Sequence, residues 1–204
     1  MGRHSGRGDS VEPSATPPVE TTPVSRRTVV WITAAAVLAG GVWWALRTRS
    51  SDPGSAAWRA VEATVAARYP DVPTVTTSEL AAALDGRPAP LLLDAREPAE
   101  YAVSHLPGAR RVDPAASADA LAAALGTVDR DRPVVVYCSV GVRSGGVAAR
   151  LREAGWDARN LEGSIFRWAN EGRPLAGPGG AAGVVHPYDA TWGRLLDPDL
   201  RADL

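Results

Sequence analysis

The sequence predicts an α/β domain with a mostly parallel central sheet flanked by helices. Two short apolar runs, LLL at Leu91–Leu93 and VVVY at Val134–Tyr137, show no alternation, which is the pattern of strands covered on both faces. From Thr74 onward, strand-like pieces take turns with helix-like ones, the order expected of strands joined by crossover helices.

Each element follows from local composition. Residues 1–27 combine Ser, Thr and Pro without apolar periodicity and read as a disordered tail. Residues 28–46, TVVWITAAAVLAGGVWWAL, carry no charge and as a helix would reach roughly 28 Å, close to a bilayer's hydrocarbon thickness. Trp31 near one end and Trp43 with Trp44 near the other match an aromatic belt. The expectation is a transmembrane helix and a single-pass membrane location. Two alternatives stay open: a cleaved export signal, since SRRTVV at Ser25–Val30 looks like the start of a twin-arginine leader, and a buried soluble helix. Arg26 and Arg27 face Arg47 and Arg49 across the segment, so charge leaves the side of the domain open.

Residues 47–73 read as a linker and a short helix, in which Trp58, Val61 and Val65 share one face and Pro70 ends the run. Within residues 74–175, Ser78 is placed to cap a helix through Leu84, PLLLDA is a buried strand, Pro98–Val103 a helical turn and Ala109–Val112 another strand. Ser117–Leu125 reads as a helix ending at Gly126, PVVVYC as the central strand, Ser144–Ala154 as a helix stopped by Gly155, and DARNL as the last strand. Residues 176–204 open with AGPGGAAG, expected to be a flexible link. The rest is expected to dock on the domain through Tyr188, Trp192, Leu195 and Leu196.

Charge nearly cancels, 22 basic against 23 acidic residues, so no basic footprint for nucleic acid is present. All the basic residues are arginine, which makes an Arg at any chosen spacing weak information. The single cysteine, Cys138, excludes an internal disulfide and any metal site built on several thiolates.

Cys138 follows the central strand, and open α/β sheets gather reactive groups at the carboxyl ends of their strands. Backbone amides of Ser139, Val140, Gly141 and Val142, with the positive end of the next helix, can point at its sulfur and favour the thiolate. Gly141 permits a backbone turn that other residues avoid. Arg143 adds a fork of donors suited to an oxyanion. A lone cysteine at a strand end also suits a buried small hydrophobe, so the loop by itself leaves both readings open.

The wider pattern resembles the rhodanese family of sulfurtransferase domains. It carries Asp94-x-Arg96 at a strand end with Glu100 and Tyr101 nearby, the turn His105-x-Pro107-Gly108-Ala109, and Cys138-x4-Arg143-Ser144, in the family's order over residues 74–175. The resemblance implies a rhodanese-like fold with Cys138 as nucleophile and Ser139, Val140, Gly141, Val142, Arg143 and Ser144 as the substrate cradle. Asp94 and Arg96 would brace the active-site loop, and His105 would be structural. Ser164 stands where many relatives have a second glycine, and Gly145 with Gly146 lower helix propensity just after the loop; neither departure is expected to touch the nucleophile.

The implied activity is transfer of a sulfane sulfur from thiosulfate or a related small donor, through a Cys138 persulfide, to cyanide or an external thiol. No cofactor or metal is implied. A binding or sulfur-relay module with little turnover is the alternative, because Val140 and Val142 make the loop more apolar than a small dianion needs. A phosphatase or arsenate reductase would carry one more residue between Cys138 and Arg143 for a tetrahedral group.

Overall fold

The computed structural model describes residues 55–203. The expected tail and transmembrane helix lie outside the described residues, and among those described no helix is long and apolar enough to cross a membrane. Five strands, β1 (Thr74–Val75), β2 (Leu91–Asp94), β3 (Arg110–Arg111), β4 (Val134–Tyr137) and β5 (Ala158–Leu161), form one sheet in the order β1-β5-β4-β2-β3. Every pairing in it is parallel.

The helices are α1 (Ala56–Arg68), α2 (Thr77–Asp85), α3 (Pro98–Val103), α4 (Ala118–Leu125), α5 (Val142–Glu153) and α6 (Ser164–Asn170). Leu92, Val135 and Tyr137 pack with Leu80 of α2 and Ile165 and Phe166 of α6. Leu91, Leu93, Val134 and Val136 pack on the opposite side with Leu121 of α4 and Val147 and Leu151 of α5. All of β2 and β4 is therefore buried, which explains why their sequences do not alternate.

Several boundaries move from their expected places for identifiable reasons. Thr76, not Ser78, caps α2: its side chain accepts from the Glu79 amide at 3.2 Å while the Glu79 carboxylate accepts from the Thr76 amide at 2.8 Å. This reciprocal box needs a carboxylate three residues on, which Thr76 has and Ser78 lacks. Helix α5 starts at Val142, because Gly141 at φ +109° already takes the cap position. Arg143 and Ser144 thus sit in the first turn of a helix. Helix α6 shows no amphipathic period because Ser164–Ala169 are all buried.

Chain direction across the sheet makes a crevice. After β2 the chain passes through α3 to β3 on one edge, and after β4 it passes through α5 toward β5 and the other edge. The carboxyl ends of β2 and β4 therefore open between diverging connections, the place where such sheets bind ligands.

The two glycines at the start of α5 serve packing. A Cβ on Gly145 would lie 2.4 Å from Cδ2 of Tyr69, and one on Gly146 would lie 3.1 Å from its hydroxyl, so the ring rests on bare backbone. Helix α1 is fixed by Trp58, which is buried beneath the Arg167 guanidinium at 4.9 Å, and by the Arg167–Glu62 ion pair.

The stretch expected to be a flexible link is ordered. Leu175–Gly177 (β6) and Gly180–Ala182 (β7) pair antiparallel, and Ala176 exchanges two backbone hydrogen bonds of 2.8 Å with His105. Gly180 at φ +114° supplies the turn that this glycine-rich run encodes. Beyond it, Val185, Leu195 and Leu196 enter the core, and Asn170 ties the segment down through the Leu195 carbonyl at 2.7 Å and the Asp197 amide at 2.9 Å.

Candidate active site

Cys138 is the first residue beyond β4, and both its amide and its carbonyl are held. Its amide donates to Ser164 Oγ at 3.2 Å, while its carbonyl and that of Ser139 accept from the Ile165 and Phe166 amides at 3.2 Å each. The first turn of α6 thus grips the backbone of the nucleophile. Ser164 does touch Cys138, contrary to the sequence expectation; its left-handed backbone, φ +51°, aims the hydroxyl there.

The sulfur faces the start of α5. The Gly141 amide donates to Cys138 Sγ at 3.2 Å, and the Gly141 carbonyl accepts from the Gly145 amide at 3.1 Å and from Asn160 Nδ2 at 2.9 Å. Asn160, buried on β5, also accepts the Ser144 hydroxyl at 2.7 Å. Burial works to raise the thiol's pKa, but hydrogen bonding from the Ser144 side chain, the Arg143 charge and the amides of Ser144 and Gly141 outweigh it, so the pKa is lowered. Ser144 has one hydroxyl hydrogen, which serves either Asn160 or the thiolate at a given moment.

Arg143 is already paired with a carboxylate. Its Nη1 and Nη2 donate to Glu100 Oε2 at 2.6 Å and Oε1 at 2.8 Å, and Nη2 also reaches Ser139 Oγ at 2.9 Å. The Ser139 hydroxyl donates to Glu100 Oε1 at 2.8 Å, and the Glu97 amide donates to Oε2 at 3.0 Å. Burial would raise the Glu100 carboxyl, yet the Arg143 hydrogen bonds, helped by the Glu97 amide and the Ser139 hydroxyl, hold it below its ordinary range. Glu100 therefore joins α3, which follows β2, to the loop that follows β4.

The supporting residues act one step away from the sulfur. Arg96 pairs with Asp94 at 2.7 Å, both fully buried, and donates to the Ser104 carbonyl at 2.5 Å. That carbonyl begins the turn in which the Leu106 amide donates to Tyr137 Oη at 3.0 Å. Asp94 and Arg96 thus brace the Ser104–Leu106 turn, which touches Tyr137, the neighbour of Cys138. His105 stacks on Tyr101 with ring centroids 4.1 Å apart and contacts the Tyr101 carbonyl through Nδ1 at 3.2 Å.

A cavity of about 160 Å³ is lined by Cys138, Ser139, Val140, Val142 and Arg143 and, from the C-terminal segment, by Tyr188 and Trp192; Cys138 itself is only 1% exposed. The Tyr188 ring lies 4.9 Å from the Arg143 guanidinium carbon. A larger cavity of about 420 Å³ lies behind the loop, against α1, and Cys138 does not line it.

The pattern of the rhodanese-like domain family matches residues 76–171. A protein of Allochromatium vinosum named "Sulfurtransferase" is 35% identical over 91 residues, 44% of this chain and 81% of that protein. The chain belongs to the rhodanese-like family. A second relative of this rhodanese-like chain, "Thiosulfate sulfurtransferase GlpE" of Pseudomonas aeruginosa, is 37% identical over 78 residues, 38% of this chain and 67% of the relative. "Probable adenylyltransferase/sulfurtransferase MoeZ" of Mycobacterium tuberculosis is 36% identical over 104 residues, 50% of this chain and 26% of the relative. The chain thus spans about a quarter of that protein's length.

In this rhodanese-like domain the motif from Cys138 to Ser144 is a contiguous structural unit, as local sequence can suggest. Asn160, Ser164, Tyr188 and Trp192 escaped that reading because nothing in their spacing links them to Cys138. For Glu100 a signal existed, since an acidic residue buried with the Asp-x-Arg motif calls for a cationic partner.

Proposed function

We propose that this rhodanese-like chain is a sulfurtransferase that carries a sulfane sulfur on Cys138. The Cys138 thiolate attacks the outer sulfur of a donor such as thiosulfate, the donor's S–S bond breaks, and its electron pair leaves with sulfite. The resulting persulfide then gives its outer sulfur to cyanide or to an external thiol, and the thiolate returns. The observation that carries this reading is the Gly141 amide aimed at Cys138 Sγ at 3.2 Å beside the start of α5, next to a cavity that Cys138 helps to line. Because Cys138 is the only cysteine, the acceptor of the sulfur must come from outside the chain.

A second reading is favoured by the Arg143–Glu100 pair. With its guanidinium neutralised, the site has little uncompensated charge for a dianion, which suits a relay module charged by a partner rather than by free thiosulfate. One experiment separates the two. Exposure to thiosulfate followed by intact mass analysis should show one added sulfur, lost in Cys138→Ser; an unmodified chain under conditions that load an active sulfurtransferase removes the first reading. Thiocyanate production near background with Cys138-dependent capture of a partner favours the second.

We also propose that residues 28–46 anchor the domain at a membrane, supported by their length, lack of charge and flanking tryptophans. Fractionation with and without that segment tests it: a full-length chain extracted by alkaline carbonate would remove the proposal.

A further inference from the structure

The C-terminal segment contributes two aromatic side chains to the thiol cavity, and its construction presents them there. Val185 on one side and Leu195 and Leu196 on the other are buried anchors. Between them the chain is locked: the Tyr188 amide donates to His186 Nδ1 at 3.0 Å, and Asp189 Oδ1 accepts from the Thr191 and Trp192 amides at 2.8 Å each. Gly193 lies where a Cβ would come within 2.8 Å of Pro187 Cβ. Tyr188 is held at φ +66°, a backbone region that bulky residues avoid, although its ring remains 47% exposed. Burial does not account for a strained, half-exposed aromatic; its position over Arg143 beside Cys138 does.

Charge and shape agree on what fits against it. Glu100 offsets the Arg143 charge, and the Tyr188 ring covers the guanidinium, so a small dianion must compete with a carboxylate already in place. Val140, Val142, Tyr188 and Trp192 instead make most of the wall of the cavity that Cys138 lines, with Ser139 as its uncharged polar member. The cavity of about 160 Å³ matches the size of an apolar cavity, about 150 Å³, that accepts benzene.

We infer that Tyr188 and Trp192 form a subsite for the organic group of the sulfur donor, and that the preferred donors are organic sulfane compounds, R–SO2–S⁻ or R–S–SH, in which R is aromatic or bulky and apolar. This rests on the sulfurtransferase reading and names its substrate class. With a thiosulfonate, the Cys138 thiolate attacks the terminal sulfur, the bond between that sulfur and the sulfonyl sulfur breaks, and its electrons leave as the sulfinate R–SO2⁻. The Cys138 persulfide retains the transferred atom, and no outside oxidant or reductant enters.

The test compares benzenethiosulfonate with methanethiosulfonate as donors to the full-length chain, with cyanide as acceptor. The phenyl donor should have a kcat/KM about tenfold or more above the methyl donor, the order one apolar contact surface supports. In Tyr188→Ala and Trp192→Ala that ratio should fall to about threefold or less, while Tyr188→Phe keeps it. Trp192→Leu replaces Trp192→Ala if the latter does not fold. A ratio near one in the native chain, or one unchanged in both alanine variants, overturns the subsite.

A binding arm separates this proposal from the reaction it rests on. Calorimetric binding of benzenesulfinate to Cys138→Ala, lost on adding Tyr188→Ala, upholds the subsite even if no donor loads Cys138; that last result would overturn sulfur transfer alone. Absence of sulfinate binding together with a normal persulfide overturns the subsite alone.

Discussion

The hydroxyl of Ser164 accepts the backbone N–H of Cys138 at 3.2 Å, and Ser164 reaches it from a left-handed backbone at φ +51°. A side chain where glycine would be at ease is thus tolerated in exchange for satisfying a buried amide. Ser164 Oγ also donates to the Leu161 carbonyl at 3.2 Å, so both ends of the hydroxyl are used.

Two substitutions at this position should differ in a set order. Ser164→Ala keeps the unfavourable backbone and leaves the Cys138 amide without its partner, a cost of about 1–3 kcal/mol. Ser164→Gly loses the same hydrogen bond but relieves about 1 kcal/mol of left-handed strain, so it should be the milder change. Urea denaturation of both variants measures the order; equal midpoints would remove the strain argument.

Gly145 should resist alanine only while Tyr69 is present. With the ring in place, a Cβ at 2.4 Å forces it to move, and Gly145→Ala should cost about 1–3 kcal/mol by overpacking. In a Tyr69→Ala background the same change should stabilise by about 0.5–1 kcal/mol, since alanine is the better helix former. A double-mutant cycle in denaturant reads the reversal of sign.

Cys138 should react as a thiolate below the ordinary thiol range. Its lowered pKa means that the iodoacetamide rate should rise with pH through a midpoint below that of an ordinary thiol. Ser144→Ala removes one of the hydrogen-bond donors that outweigh burial, so the midpoint should move upward. A midpoint at or above that of a free thiol in the native chain would show that burial wins.

Glu100→Gln should remove charge from both partners' surroundings. Breaking the pair leaves the Arg143 guanidinium without its carboxylate, at a cost of about 2–4 kcal/mol, below that of a fully buried pair because Arg143 retains some exposure. Loss of the carboxylate that offsets the Arg143 charge should also move the Cys138 alkylation midpoint downward, because Arg143 favours the thiolate.

The pH dependence of stability carries the same pair. The folded-state pKa of Glu100 lies below its ordinary value, so its contribution is present in full above the unfolded pKa of about 4.3 and fades as pH falls through the folded value. The native chain should therefore lose stability on acidification through that window more steeply than Glu100→Gln. Thermal melts from neutral to acidic pH compare the two slopes.

The chain's own order of residues determined the parallel sheet, because LLL and VVVY are apolar without alternation and only strands covered on both faces need that. It also placed Gly141 three residues after Cys138, close enough for its amide to donate to the sulfur, whereas the amides of Ser139, Val140 and Val142 are not seen to do so. Tertiary structure alone decided what the Cys138–Ser144 segment touches. Glu100 reaches Arg143 from another strand's connection, Asn160 holds the Gly141 carbonyl from β5, and Ser164 meets the Cys138 amide across the crevice. The aromatic wall of Tyr188 and Trp192 arrives from the far end of the chain. Local patterning records backbone preference and burial on a face, whereas these contacts depend on which elements the winding of the sheet brings together.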